Sequence, residues 1–462
     1  MPLLFAVTLF VSASLLFMVQ PMVGKMILPL LGGSPAVWNA CMVFFQVLLL
    51  LGYLYAHWMS TRYDPKQQGK LHTLVLAAPI AAFAFSAALG VRGTPIAIMD
   101  GLAPTDGANP FLAVLALLAV AIGIPFFVAS TSAPLLQRWF SFTGHPSSRD
   151  PYFLYAASNV GSLVSLLGYP LFIEPNMTIA QQAWFFAVGF AVLAVLIVAC
   201  GRAAANPIGV PPAGKGGDGG GGAAKRPGAV DVVTEPAPSP LRVAKWVLLA
   251  FVPSSLMLAV TFHMSTDIAS IPLLWVIPLA LYLVTFIISF STLVPPWFRV
   301  VLGNLAPIML LLLVFVMCAP HLVSVAPTLA IHITAFFFAA LMCHYELARD
   351  RPKDVSHLTA YFLWMSVGGM LGGMFNGIFA PLVFTYAHEY PVTIVVACGM
   401  VPVFASQTGR IKGRLFPGLS GPRGEAAEWL ATAGIALAVF GVCLAFCYVV
   451  VGALFDMKYW YV

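Results

Sequence analysis

The chain has 462 residues, of which 61% are apolar and only 8% charged, whereas about a quarter of a soluble domain is charged. That balance excludes an ordinary soluble enzyme and describes a polytopic, all-α membrane protein. The net charge of +6 does not point to nucleic acid, because the basic residues lie in short loops between apolar runs, where they act as topology signals.

The opening stretch, MPLLFAVTLFVSASLLFMVQ, lacks the basic start and small-residue cleavage site of a signal peptide and is read as a retained first span. A spanning helix needs about 20 predominantly apolar residues. Thirteen stretches qualify: 1–21, 35–57, 71–90, 110–130, 152–173, 181–200, 243–262, 271–291, 299–318, 325–346, 358–381, 390–405 and 429–453. Pro125, Pro253, Pro278 and Pro307 fall inside spans, which membrane helices tolerate because neighbours re-satisfy the freed backbone groups.

Residues 1–201 form a first six-helix half. Residues 202–241, with GKGGDGGGGAAKRPGAV followed by EPAPSP, form a flexible linker. Residues 242–407 form a second six-helix half, 408–428 a basic loop, and 429–462 an extra span with the C-terminus. With the N-terminus in the cytoplasm, 19 of the 22 Lys and Arg residues fall on the cytoplasmic side, leaving only Lys25, Arg92 and Lys458 opposite. This bias predicts an inner-membrane protein whose linker is cytoplasmic and whose terminal FDMKYWYV lies outside, anchored by Tyr459, Trp460 and Tyr461.

The halves repeat one another. Residues 10–20 (FVSASLLFMVQ) match 251–261 (FVPSSLMLAVT), Pro35–Trp38 matches Pro272–Trp275, and Tyr152–Tyr155 matches Tyr361–Trp364. Each of the last pair opens a small-residue-rich helix that ends in Pro-Leu. Six plus six spans in the same orientation, joined by a long linker, is the arrangement of the major facilitator superfamily.

Three blocks carry a further likeness: QPMVGKMILPLLGGSPAVWNACMVFFQVLLLLGYLYAH (20–57), TDIASIPLLWVIPLALYLVTFIISF (266–290) and HYELARDRPKDVSHLTAYFLWMSVGGMLGGMFNGIFAPLVF (344–384). In these the chain resembles the membrane region of the fused facilitator/spermidine-synthase proteins. Fused members carry a soluble aminopropyltransferase-like domain after the membrane part. Here no strand–GxGxG–helix unit precedes the last residue, Val462, so synthase activity is not carried over. The resemblance implies a transporter-like membrane domain working on a small organic cation or polyamine. The alternatives are a membrane partner of a separately encoded synthase-like enzyme, or a subunit of a larger membrane complex.

Ionisable groups at membrane depth cost about 2.5–3.5 kcal/mol each and need a reason to be there. Lys25 sits between Pro21 and Pro29, either snorkelling to the interface or lining a cavity mouth. His263 and Asp267 stand at the equivalent point of the second half, one helical turn apart, and are the leading substrate or proton site. Asn39 and Gln46 share a face of the second span, as solute ligands or interhelical glue. Asn159 and Asn376 sit on the two matched small-residue helices as cavity candidates. Glu346 can pair with Arg349 three residues on, or with Arg138, as a gate ion pair. Gly369, Gly373 and Gly377, four apart, are expected to form a close-packing face.

No HExxH, GxSxG, P-loop or EF-hand pattern occurs, and no catalytic residue, metal or other cofactor is expected. The seven cysteines are scattered and read as packing residues. The nine histidines form no evident facing pair on neighbouring spans, which argues against haem. The expected partners are the lipid bilayer, a small cationic solute and a soluble synthase-like protein.

Overall fold

The computed structural model describes residues 1–31, 35–88, 94–96, 110–207, 235–268, 274–291, 294–295, 297–318, 323–384 and 388–400, with scattered helical positions between Gly424 and Ala445. Twelve helices run through these residues, six on each side of the linker. They are α1 (Pro2–Leu31), α2 (Pro35–Arg62), α3 (Pro65–Ala88), α4 (Leu112–Phe140), α5 (Phe153–Asn176) and α6 (Ile179–Ala205). After the linker come α7 (Pro240–Thr266), α8 (Val276–Phe290), α9 (Phe298–Cys318), α10 (Val325–Arg349), α11 (Val355–Val383) and α12 (Glu389–Met400). Ten are long and apolar enough to cross a membrane, and α8 and α12 are shorter apolar helices. Of the span expected at 429–453 only scattered helical positions are described, and most of the basic loop before it and of the linker lies outside the described residues.

Local chemistry sets the helix ends. Thr178 accepts from the Gln181 amide while Gln181 reaches back to the Thr178 backbone, a full capping box at the start of α6. Ser239 accepts from the Arg242 amide at 3.2 Å, and Pro240 occupies the first turn of α7, where its missing N–H costs nothing.

Three π turns have a common cause. They lie at Ala119–Gly123, Tyr169–Ile173 and Phe375–Phe379. Four residues after a position inside each stands a proline: Pro125 after Ala121, Pro175 after Leu171, Pro381 after Gly377. A proline cannot donate to the carbonyl four residues back and clashes with it. One wide turn relieves the clash without ending the helix. A fourth π turn, Met264–Ile268, closes α7.

The chain divides into two compact units. One comprises Met1–Pro238 with Arg351–Leu363; the other comprises Ser239–Asp350 and the chain from Trp364 onward. In the first, α1 packs along α5 and α6, α2 along α4, and α3 along α6. Phe5, Leu9, Met18, Val19, Phe126 and Phe190 are among its buried core. Helix α3 meets that core along one stripe, Gln68, His72, Leu76, Pro79 and Phe83, at helical spacing. In the second unit α10 packs against α7, α8 and α9, and α12 against α7.

Glycine brings helices into backbone contact in both units. A Cβ on Gly161 of α5 would collide with the Phe10 carbonyl of α1, and one on Gly372 of α11 would stand 2.6 Å from the Phe251 carbonyl of α7. Phe10 and Phe251 are the matched residues of the repeat, so the two units use the same device at the same place. Serine hydroxyls finish each contact, Ser14 donating to the Gly161 carbonyl at 3.0 Å and Ser254 to that of Gly369 at 2.9 Å. The packing face of α11 differs from the expected one. Gly368 and Gly372 meet α7, whereas nothing lies within 4 Å of where a Gly369 Cβ would be. The four-residue spacing is right, but the face is one residue earlier, about 100° around the helix.

Candidate functional site

The second unit gathers polar side chains from the apolar helices α7, α10, α11 and α12. Asn376, in the π turn of α11, donates from Nδ2 to Ser255 Oγ of α7 at 2.7 Å and to the Gly372 carbonyl at 3.1 Å. Ser255 and Thr393 of α12 share a hydrogen bond of 2.9 Å, and both are buried. Asn376 Oδ1 is buried with no hydrogen-bond partner, an unusual state for an amide oxygen, since buried acceptors are nearly always paired. One turn back along α12, the Tyr390 hydroxyl meets His332 Nδ1 of α10 at 2.9 Å. The His263 ring of α7 lies 4.8 Å from that of His332 and 5.6 Å from that of Tyr390. Glu389, beside Tyr390, is 9% exposed. Helix α12 thus carries two polar contacts on one face, Tyr390 and Thr393 being three residues apart.

Of the residues singled out in the sequence, Asn376 and His263 fall in this constellation. Asp267 follows His263 in the π turn Met264–Ile268, but its side chain lies outside the described residues, as does that of Asn39 on α2. Gln46 is half-buried on α2, and its Oε1 has no hydrogen-bond partner. Asn159 is buried and bonds within its own helix, to the Tyr155 carbonyl at 2.8 Å. Lys25 forms an ion pair with Glu174 at the end of α5, both about two-fifths exposed.

A second charged group closes one end of the same unit. Glu346 Oε1 accepts from Arg299 Nε at 3.0 Å, and Arg349 Nη1 reaches both carboxylate oxygens at 3.2 Å. Of the two partners expected for Glu346, Arg349 is present, and Arg299 joins it from α9. Arg138 belongs to the first unit, where its guanidinium donates to the Val355 carbonyl at 3.0 Å and covers the Phe142 ring at 4.5 Å, beside the segment 351–363. There Arg351 pairs with Asp150 at 2.6 Å, Tyr152 donates to the Pro352 carbonyl at 3.2 Å, and the Glu235 carboxylate accepts from the Lys353 amide at 2.9 Å. His344 does not join the charges. It is buried, stacked on Phe286 at 3.6 Å, with Nδ1 2.8 Å from the Thr285 hydroxyl.

Sequence reading missed His332, Tyr390, Ser255, Thr393 and Arg299. His332 was open to it: an ionisable residue inside the apolar run AIHITAF needs a reason to be there. The expectation that no two histidines face each other is overturned by His263 and His332. Among the described residues no three His, Cys, Asp or Glu side chains come together to hold a metal ion.

No family model matches the chain, and no curated protein matches its sequence. A solved structure shares its fold. A bacterial homologue of the iron transporter ferroportin, solved outward-facing, matches at TM-score 0.50 and 14% identity, covering 95% of this chain and 99% of that one. A bacterial homologue of the human lysosomal transporter Spinster, inward-facing and unoccupied, is more distant at TM-score 0.41 and 14% identity, covering 97% and 95%. The chain is an all-α, multi-pass membrane protein with a fold of the major facilitator type.

Proposed function

We propose that this protein is a secondary transporter that carries a small organic cation, with a polyamine as the leading substrate class, by exposing a membrane-embedded polar site alternately to each side. The observation that carries the reading is Asn376. Its Oδ1 is a buried amide acceptor without a partner, within a span, beside a hydroxyl chain. Such a group costs stability, and an ammonium donor would satisfy it. The buried carboxylate of Glu389 on α12 favours a cation over an anion. The three blocks shared with the spermidine-synthase-fused proteins supply the polyamine guess. The distribution of Lys and Arg supports a cell inner membrane location with the N-terminus in the cytoplasm.

Labelled spermidine flux into proteoliposomes tests this. Wild-type protein should exceed empty vesicles, and Asn376→Leu should lose most of the flux while keeping its thermal stability. Wild-type flux equal to that of empty vesicles sinks the proposal. If a soluble aminopropyltransferase-like enzyme then co-purified with the chain, the partner reading would replace it.

A further inference from the structure

The proposed function uses the amide and hydroxyls of the polar column but not its imidazoles. We propose that His263 and His332 form a proton-binding site that takes up a single shared proton and couples its binding to the solute site through α12. The inference deepens the transporter reading and rests on it for the word coupling; the paired site stands on its own geometry.

Two imidazoles with ring centres 4.8 Å apart, inclined by 36°, are too close to carry charge together at membrane depth. The pair can hold one proton and resists a second. The proton comes from water and returns to it, so no other bond changes. His332 is 1% exposed, whereas His263 is only half-buried, so His263 is the entry point. Charged and titratable neighbours have been placed around the pair on each packed element. Tyr390 and Glu389 stand on α12, with His388 just before them, and Asp267 is one turn beyond His263 on α7. On α8 and α9, among the described residues, such groups lie near the far end of α10: Tyr282 beside His344, and Arg299 on Glu346.

Tyr390 is the reader. While His332 Nδ1 is unprotonated it accepts the Tyr390 hydroxyl proton across 2.9 Å; once that nitrogen is protonated it must donate, and the hydroxyl has to turn and accept. Tyr390 shares α12 with Thr393, which is bonded to Ser255 and through it to Asn376. A change of hydrogen-bond direction at Tyr390 is therefore one helical turn and two hydrogen bonds from Asn376.

Histidine-selective ¹⁵N labelling in lipid nanodiscs, followed from about pH 4 to 9, reads the pair directly. The two rings should titrate together in two steps more than about 1 pH unit apart. His263→Gln should collapse them to one step. Tyr390→Phe, which keeps the ring and removes only the hydroxyl, should shift the His332 step and leave a two-step pattern. Two independent single steps, each unchanged when the other histidine is replaced, would overturn the shared site. In proteoliposomes, His332→Gln should lose accumulation of spermidine driven by a pH gradient yet retain spermidine exchange. Wild-type flux that ignores the gradient overturns the coupling. Absence of any wild-type spermidine flux defeats the transporter reading, and the ¹⁵N titration still decides the paired site.

Discussion

Two glycines three residues apart on α11 should respond differently to the same substitution. A Cβ added at Gly372 would stand 2.6 Å from the Phe251 carbonyl, 2.9 Å from Ser254 Cβ and 3.0 Å from the Ser255 amide nitrogen. Two of these three atoms are backbone of α7 and cannot swing aside, so the helices must part. Parting them stretches the Ser254 bond to the Gly369 carbonyl and the Asn376 bond to Ser255. Overpacking costs about 1–3 kcal/mol, against which alanine recovers up to about 1 kcal/mol of helix propensity. Gly372→Ala should thus lose about 1–2 kcal/mol. Gly369→Ala meets nothing within 4 Å and should be neutral or gain up to about 1 kcal/mol. At about 2–4 °C per kcal/mol for a unit of this size, the two melting temperatures should differ by several degrees. Heating in detergent with a thiol-reactive dye measures this, because the Cys41, Cys200 and Cys343 thiols are buried until the bundle opens. Equal or greater loss in Gly369→Ala would refute the packing face and restore the one the glycine spacing suggests.

Glu346→Gln keeps the shape but leaves Arg299 and Arg349 without their shared anion; with those side chains 40% and 52% exposed and Glu346 only 10%, about 1–2 kcal/mol should be lost, read from the same melts. Lys25→Met should change stability by less than about 1 kcal/mol, and the change should vanish in high salt, because the Lys25–Glu174 pair is solvated. Before α11, burial raises the Asp354 carboxyl, but bonds from Ser356 and the Glu235 amide and the nearby His357 outweigh it, holding the group below its usual range. A depressed folded value means the cap contributes fully above the ordinary carboxylate range and is lost as pH falls through the folded value. Hydrogen-exchange protection of the Ser356 amide, corrected for intrinsic rate, should fall on acidification in wild type and be low and pH-independent in Asp354→Ala.

The elements were legible because their signals are local. Run length located the spans but not their ends: caps at Thr178 and Ser239 start α6 and α7 at Ile179 and Pro240, ahead of the expected starts at 181 and 243. The site was half legible for the same reason. An intramembrane asparagine or histidine can be seen on its own helix, so Asn376 and His263 could be named. Their partners could not, and the difficulty is specific to lipid. On a soluble helix, polar residues mark the outward face and so locate the inward one. Here both faces are apolar: Leu9 is fully buried while Leu74 is 71% and Leu382 80% exposed. Nothing in a leucine's identity says whether it meets lipid or protein, so the rotation of each helix is left open. The face of α11 was misjudged by one residue for this reason, and the same ambiguity hid which helix brings Tyr390 to His332. What fixes rotation is the small set of groups that cannot face hydrocarbon: the glycine contacts, the serine and threonine hydroxyls, and the imidazole pair. Those residues settle how the bundle packs and also form its polar column. Substitutions at the glycine and serine packing contacts should therefore change stability and flux together, whereas substitutions on the lipid face should change neither.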